Sequence, residues 1–413
     1  MSTARDSSAT PTDTSSGEDS DPELARLPAP PDAGSDRLFT GPFVTILAVQ
    51  AAYGFAMSAY LLLPKSLAQG GGTPSQIGRV MAAFGVASVL TIPLLDRIVS
   101  ALGRRRVLIV ASLVMAASSL GFAAYQGPGL PAVALRALQG VSWALLFSAA
   151  ISLASELAPP SRLAQAIGVA GGASLAMSAV APAIGEPLVA ALGYRALYAL
   201  AALAALLGAA LARRLPGQPP ARSFSAAAST APALEAEPPA RRLPVYLALG
   251  IGGFAYMVLF TFLGPFALQH GIQAIRAFFI AYTVAALGVR GLSGTLFDRL
   301  GHRSVGTKAL VLYGAVVAAV GLLGPGWLTA LGLAFGIAHG AVIPSLMALL
   351  LHSAPHYRRP RILGIANCAM SVGIAAVYPA GALVDRFGYP VVFVATGALT
   401  TCSALLLRER RAR

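Results

Sequence analysis

The chain has 413 residues, of which 56% are hydrophobic and 11% charged, and a formal net charge of +14. Soluble proteins carry about 25% charged residues, so this balance excludes a soluble globular fold. The excess of basic residues sits in short connections between apolar runs, where it reads as a topology determinant rather than a nucleic-acid surface. Two cysteines, Cys368 and Cys402, both within apolar runs, and five scattered histidines give neither a disulfide framework nor a metal-ligand cluster.

Residues 1–37 are rich in Ser, Thr, Pro, Asp and Glu and are predicted to form a disordered tail, since they lack the apolar surface a core needs. The tail has neither the basic start nor the small-residue cleavage site of a signal peptide, so the first apolar span is expected to act as its own insertion signal. Apolar runs of about 20 residues cross a bilayer, and twelve are predicted, roughly over 41–63, 75–95, 105–126, 130–156, 164–191, 195–213, 244–268, 275–297, 305–325, 327–351, 362–384 and 388–408. A Pro/Ala/Ser/Glu-rich stretch, 214–243, is the one long interior connection. It reads as a linker between a first half, 38–213, and a second, 244–413.

Charge sorts the connections. Arg97, Arg104 to Arg106, Arg162, Arg213, Arg214, Arg241, Arg242, Arg299, Arg303, Arg358, Arg359, Arg361 and the basic end of the chain fall on one side. Lys65, Arg79, Arg195, Arg276 and Arg386 fall on the other. The positive-inside rule makes the first side cytoplasmic, and with it both termini.

The halves repeat. Ala158-Pro159 with Arg162 and Gly168 matches Ala354-Pro355 with Arg358 and Gly364, an offset of 196 residues (355 less 159). Leu192-Gly193-Tyr194 matches Phe387-Gly388-Tyr389, an offset of 195 (388 less 193). Offsets this constant point to a parallel duplication of six spans, as in transporters with a pseudo-two-fold axis along the membrane normal. Polar knots recur as well: Gly294-Thr295-Leu296-Phe297-Asp298-Arg299-Leu300-Gly301-His302-Arg303 in the second half, and Asp96-Arg97 with Gly103 and Arg104 in the first.

On these residues the chain resembles the major facilitator superfamily of transporters over residues 38–410. The implied fold is all-α and integral to the membrane, with twelve transmembrane helices as two parallel six-helix halves. Gly294, Asp298, Arg299, Gly301 and Arg303 fall on the superfamily's signature for the connection between spans 8 and 9. The resemblance implies a conformational latch there, to which Arg290, two turns earlier on the same helix face, contributes or beside which it lines the cavity. In the first half the signature is distorted: with Gly103 aligned, Ser100 takes the acidic position and Asp96 the leading glycine position, so Asp96, Arg97 and Arg104 form its counterpart.

Arg136-Ala137-Leu138-Gln139-Gly140 resembles the fourth-span motif of proton-driven efflux members, and the fifth span resembles the antiporter motif only at Gly168, Pro182 and Gly185. Met177, Ala181 and Glu186 replace its expected glycines. The resemblance assigns the first, fourth, seventh and tenth spans to a central cavity, where they offer Gln50, Tyr53, Tyr60, Arg136, Trp143, Tyr256, Phe260 and His339. That aromatic set with few polar groups suits small amphipathic molecules, and a buried cation without a carboxylate suits an anionic or zwitterionic one. Glu186, Arg136 and His339 are the candidates for proton coupling. Glu186 also reads as a water-exposed helix end, and His339 as a core histidine. Asn367, the sole asparagine, reads as a packing hydrogen bond.

The expected function is therefore proton-exchanging export of a small amphipathic compound by alternating access, in the manner of the bacterial drug and metabolite efflux branch. A proton-coupled importer of a sugar or carboxylate nutrient is the alternative. The signature argues against a non-transporting scaffold. No phosphate-cradling loop or nucleophile–base arrangement points to an enzyme, and no cofactor, metal or nucleic acid is expected. Small-molecule cargo, protons and the lipid bilayer are the expected partners of a monomer in the bacterial inner membrane.

Overall fold

The computed structural model describes residues 37–217, 239–352, 354–355 and 358–407; the side chains at 160, 164, 239–241, 293–296, 298, 323, 325 and 360 lie outside that description. The predicted tail, but for residue 37, and most of the predicted linker lie outside the described residues. Within these bounds every regular element is helical.

Helix α1 (Gly41–Ser58) runs through a 3-10 turn into α2 (Leu63–Gln69), and α3 (Pro74–Thr91) runs likewise into α4 (Leu95–Leu102). Pro64 and Pro93 lie at these turns, where a missing N–H interrupts the helical ladder. Then follow α5 (Arg104–Ala124), α6 (Leu130–Leu157), α7 (Leu163–Ala212), α8 (Pro239–Gln269), α9 (Arg276–Leu300), α10 (His302–Leu323), α11 (Leu328–Leu351), α12 (Arg359–Ala375) and α13 (Val377–Ser403). The segments are apolar all round, the pattern of helices whose surroundings are themselves apolar. Leu90, Leu203 and Leu322 stand far out of the bundle, as lipid-facing residues do.

Among the described residues nine helical segments are long and apolar enough to cross a membrane. Two of them, Gln165–Ala212 and Arg361–Leu407, have 48 and 47 residues, about twice the length one crossing needs. Each bends at a glycine of positive φ, Gly193 at 77° and Gly388 at 82°, a backbone shape that side chains with a Cβ resist. The connection expected at 192–194 is thus a single-residue kink inside one helical run. Positive-φ glycines also recur as Gly71 with Gly271, an offset of 200 (271 less 71), and Gly103 with Gly301, an offset of 198 (301 less 103). Helix α8 begins at Pro239, inside the stretch expected to be linker.

Packing follows the small residues. Helices α1 and α5 lie on α7, α3 and α5 on α6, α9 and α10 on α11, α10 on α13, and α8 on α12. A stripe on α11, Gly332, Gly336 and Gly340, rests on α9 at Phe278, Tyr282 and Ala286. Each step on both helices is four residues, so two backbones meet along one ridge.

The bundle's two ends differ. At the end holding Gly193, Gly271 and Gly388, α3 is pressed against α12 and α13: a Cβ added to Gly78 would lie 3.1 Å from Val377 O, and one on Gly85 2.6 Å from Ala375 N. At the end holding Gly103 and Gly301 the packing along α7, α9 and α12 is looser. A Cβ on Gly172 of α7 meets Leu287 of α9 at 3.7 Å, yet one turn further along, Gly168 meets nothing within 4 Å, nor does Gly291 on α9 or Gly364 on α12.

Candidate transport site

Two clusters face the middle of the bundle. The first is built on α1, α6 and α7. Arg136 of α6 is only 4% exposed, and its Nη1 donates to Gln139 Oε1 at 2.7 Å. Its Nε is buried with no hydrogen-bond partner. The guanidinium lies 4.8 Å from the centre of the Phe84 ring and 5.7 Å from that of Tyr60, contacts that partly offset the loss of water. Among the described residues no carboxylate forms an ion pair with Arg136. Tyr60 stacks on Tyr198 and tilts against Phe122.

Beside it, Tyr53 and Ser142 share a hydrogen bond of 2.7 Å, and Ser142 donates to Ala111 O. Gln50 donates to Ala170 O at 3.3 Å, tying α1 to α7. Trp143 stacks between Tyr53 and Phe147. Gln50, Tyr53, Tyr60 and Arg136 are buried in the packing of these helices, whereas Trp143 is partly exposed.

The second cluster is built on α8, α9 and α11. His339 Nδ1 and Tyr282 O–H are 3.1 Å apart, and the imidazole is stacked by Tyr256 and Phe335. Tyr256 in turn stacks on Phe260, their ring centres 4.1 Å apart. Phe260 is buried; Tyr256 and His339 are partly exposed. Arg290 lies within electrostatic reach of His339, Tyr256 and Tyr282, which places it beside this cluster. Tyr256 is also within electrostatic reach of Arg136, so the two clusters face one another.

The residues expected to form a latch are spread over the Gly103 end. Asp96, Arg97 and Arg299 are exposed. Arg104 is buried and pairs with Glu156 at the end of α6, with Ser152 accepting from its Nε at 2.8 Å. Arg303 donates to Leu407 O at 3.1 Å. Gly103 and Gly301 start α5 and α10 with φ of 76° and 78°. Gly294 and Asp298 fall in α9, but their surroundings lie outside the described residues.

At the Gly193 end, Glu186 is 8% exposed. Its two oxygens accept from the backbone N–H groups of Ile275 at 2.7 Å and Arg276 at 3.1 Å, the start of α9. Lys65 Nζ donates to Gln273 O alongside, and Tyr194 O–H donates to Gln69 at 2.9 Å. These residues line a cavity of about 480 Å³. Helix α3 starts differently: Thr73 and Gln76 form a capping box, and Ser75 donates to Asp385 of α13 from its N–H at 3.1 Å and from its hydroxyl.

Sequence reasoning missed Glu156, Asp385, Tyr282 and the glycine stripe. The stripe's four-residue spacing was readable as a contact face, and α9 begins without any Ser, Thr, Asp or Asn to cap it, a sign that the cap comes from elsewhere.

With a helical bundle that crosses the membrane repeatedly and two clusters meeting at its middle, the sequence profile of the Major Facilitator Superfamily matches residues 44–377 and 305–413. The chain belongs to that superfamily. It is a multi-pass membrane transporter, and its cargo is a small molecule, as in the superfamily generally. Its fold is similar to that of the human organic anion transporter MFSD10 (TETRAN), at 18% identity and a TM-score of 0.66 over 89% of this chain and 98% of that one. It is also similar to that of the nucleoside transporter NupG, at 12% identity and a TM-score of 0.72 over 89% of this chain and 99% of that one.

Proposed function

We propose that this transporter exports a small amphipathic compound, anionic or zwitterionic, by alternating access and in exchange for protons. The observation that carries the proposal is Arg136: a buried guanidinium with one hydrogen bond, an unfilled Nε and no ion-paired carboxylate among the described residues. A buried charge of this kind is costly and is retained where it serves function. An anionic group on the cargo would supply the missing partner, while the partly exposed Trp143, Tyr256 and His339, the second backed by buried Phe260, offer aromatic surface to the remainder. Glu186, Arg136 and His339 are the proposed proton-coupling groups.

The chain crosses twelve times in this reading, the nine apolar segments becoming twelve when the two kinked ones are divided and α9 is added. The halves are 38–213 and 244–413, joined by the linker 214–243, with residues 1–37 as a tail. The clustering of arginines at the Gly103 end supports a cytoplasmic placing of that end and of both termini, and the bacterial inner membrane is the proposed site of action. Asp96, Arg97, Gly103, Arg104, Arg290, Gly294, Asp298, Arg299, Gly301 and Arg303 form the proposed inner latch. A monomer in the lipid bilayer suffices.

Untargeted metabolite profiling of cells and medium tests the direction and names the cargo. A compound that accumulates in a deletion strain and appears in the medium on overexpression is the expected result. A nutrient left unconsumed in the medium of the deletion strain would overturn export in favour of import.

A further inference from the structure

Two carboxylates cross between the proposed halves at the Gly193 end, one in each direction. Glu186, on α7 seven residues before Gly193, takes the N–H groups of Ile275 and Arg276, the N-cap and first residue of α9. Asp385, on α13 three residues before Gly388, takes the N–H and hydroxyl of Ser75, the second residue of α3. The kinks at Gly193 and Gly388 and the turns at Gly71 and Gly271 place α7 opposite α13, and α3 opposite α9, in the repeat. Each half therefore caps a helix of the other.

The two acids are not copies of one ancestral residue. They stand at different distances from their kinks, about one helical turn apart, yet reach equivalent helix starts. The chemistry favours such contacts: helix N-termini carry unsatisfied donors and partial positive charge, and a carboxylate meets both. The contacts exist only while α7 stays on α9 and α13 on α3. At the opposite end of the bundle α7 and α9 are looser, with nothing within 4 Å of a Cβ at Gly168 or at Gly291.

We propose that Glu186 and Asp385 are reciprocal clamps that hold the outer side of the transporter shut, and that both release before its site faces outward. The meaning of release rests on the alternating-access reading above; the clamps themselves do not. Lys65, by donating to Gln273 O, braces the Glu186 side.

The test uses the full chain with Cys368 and Cys402 replaced by serine and one reporter cysteine added. Leu62→Cys reports from the outer cavity, where Leu62 is 1% exposed. Gly168→Cys reports from the looser inner end. Both are labelled with a membrane-impermeant maleimide, in right-side-out and in inverted vesicles. Glu186→Gln and Asp385→Asn are each expected to raise the outer labelling rate several-fold, and together about tenfold, while the inner rate falls.

An outer rate within twofold of the parent in the double variant would overturn the clamps. So would a rise at both ends, which is what a loosened fold gives. A rise outside with no change inside would uphold the clamps and count instead against rocking of the halves.

Discussion

The two clusters at the middle of the bundle carry different chemistry on a common frame. The frame repeats: positive-φ glycines recur at offsets of 195 to 200 residues, and the paired helices α3 with α9 and α7 with α13 occupy matching places. The central side chains do not repeat. The first half presents a guanidinium with a single hydrogen bond, lying over Tyr60 and Phe84. The second presents a stacked wall of Tyr256, Phe260, Phe335 and His339, fixed by Tyr282. The glycine turns and kinks thus repeat while the central side chains differ, and under the proposed function a cargo with one charged and one aromatic end would need both clusters.

The most damaging change lies in the second half's frame. A Cβ at Gly336 would run into the Tyr282 carbonyl oxygen, so Gly336→Leu forces α9 off α11. It is expected to abolish recovery of monodisperse protein in detergent, since overpacking at a backbone contact costs about 1–3 kcal/mol or more. Gly291→Leu, placed where nothing lies within 4 Å, is the matched control and is expected to yield normal protein. Equal yields would mean the stripe is not what holds the wall.

Next comes the charged half. Arg136→Ala is expected to lower transport of the identified cargo at least about tenfold, at equal surface expression, because truncating one member of a buried charge pair costs about 2–5 kcal/mol. Arg136→Lys is expected to restore little, since an ammonium lacks the guanidinium's planar donors. Unaltered transport by the alanine variant would erase the contrast between the halves.

A smaller effect is expected at the inner edge of the first half. Glu156→Gln removes the acidic partner of buried Arg104. With Glu156 partly exposed, the loss is discounted from that of a fully buried pair to about 1–2 kcal/mol, read as a fall in thermal midpoint. The smallest concerns the wall itself: Tyr282→Phe deletes the hydrogen bond to His339, worth about 0.5–1.5 kcal/mol. It is expected to change the cargo's apparent affinity by only a few-fold. A total loss would make the Tyr282–His339 pair, rather than the aromatic surface, the determinant of the second half.

Much of the frame was readable in the sequence. Apolar runs marked the spans, arginine clustering sorted the ends, and Gly193 and Gly388 announced the repeat, although not that helix would continue on both sides of them. The lining was harder. An aromatic residue on an apolar helix faces either a cavity or a neighbouring helix, and composition does not distinguish them. Tyr53 and Tyr60, assigned to the cavity by their spans, are buried against Ser142 and Tyr198. Arg290, read as joining the latch or lining the cavity, lies within electrostatic reach of His339.

Partners from distant parts of the chain, such as Glu186 with Ile275 or Asp385 with Ser75, leave no mark at either position alone. Only the capless start of α9 hinted that something reaches it.

The ridge on which α11 rides along α9 also makes a single lever of that wall. Glu186 grips α9 at Arg276, and Tyr282 lies six residues on, about 9 Å along the axis. Between Phe278 and Ala286 the stripe leaves no side chain that could yield. Under the proposed clamps, a shift of α9 where Glu186 holds it would carry Tyr282 and His339 along, so the outer door and the shape offered to cargo would change together.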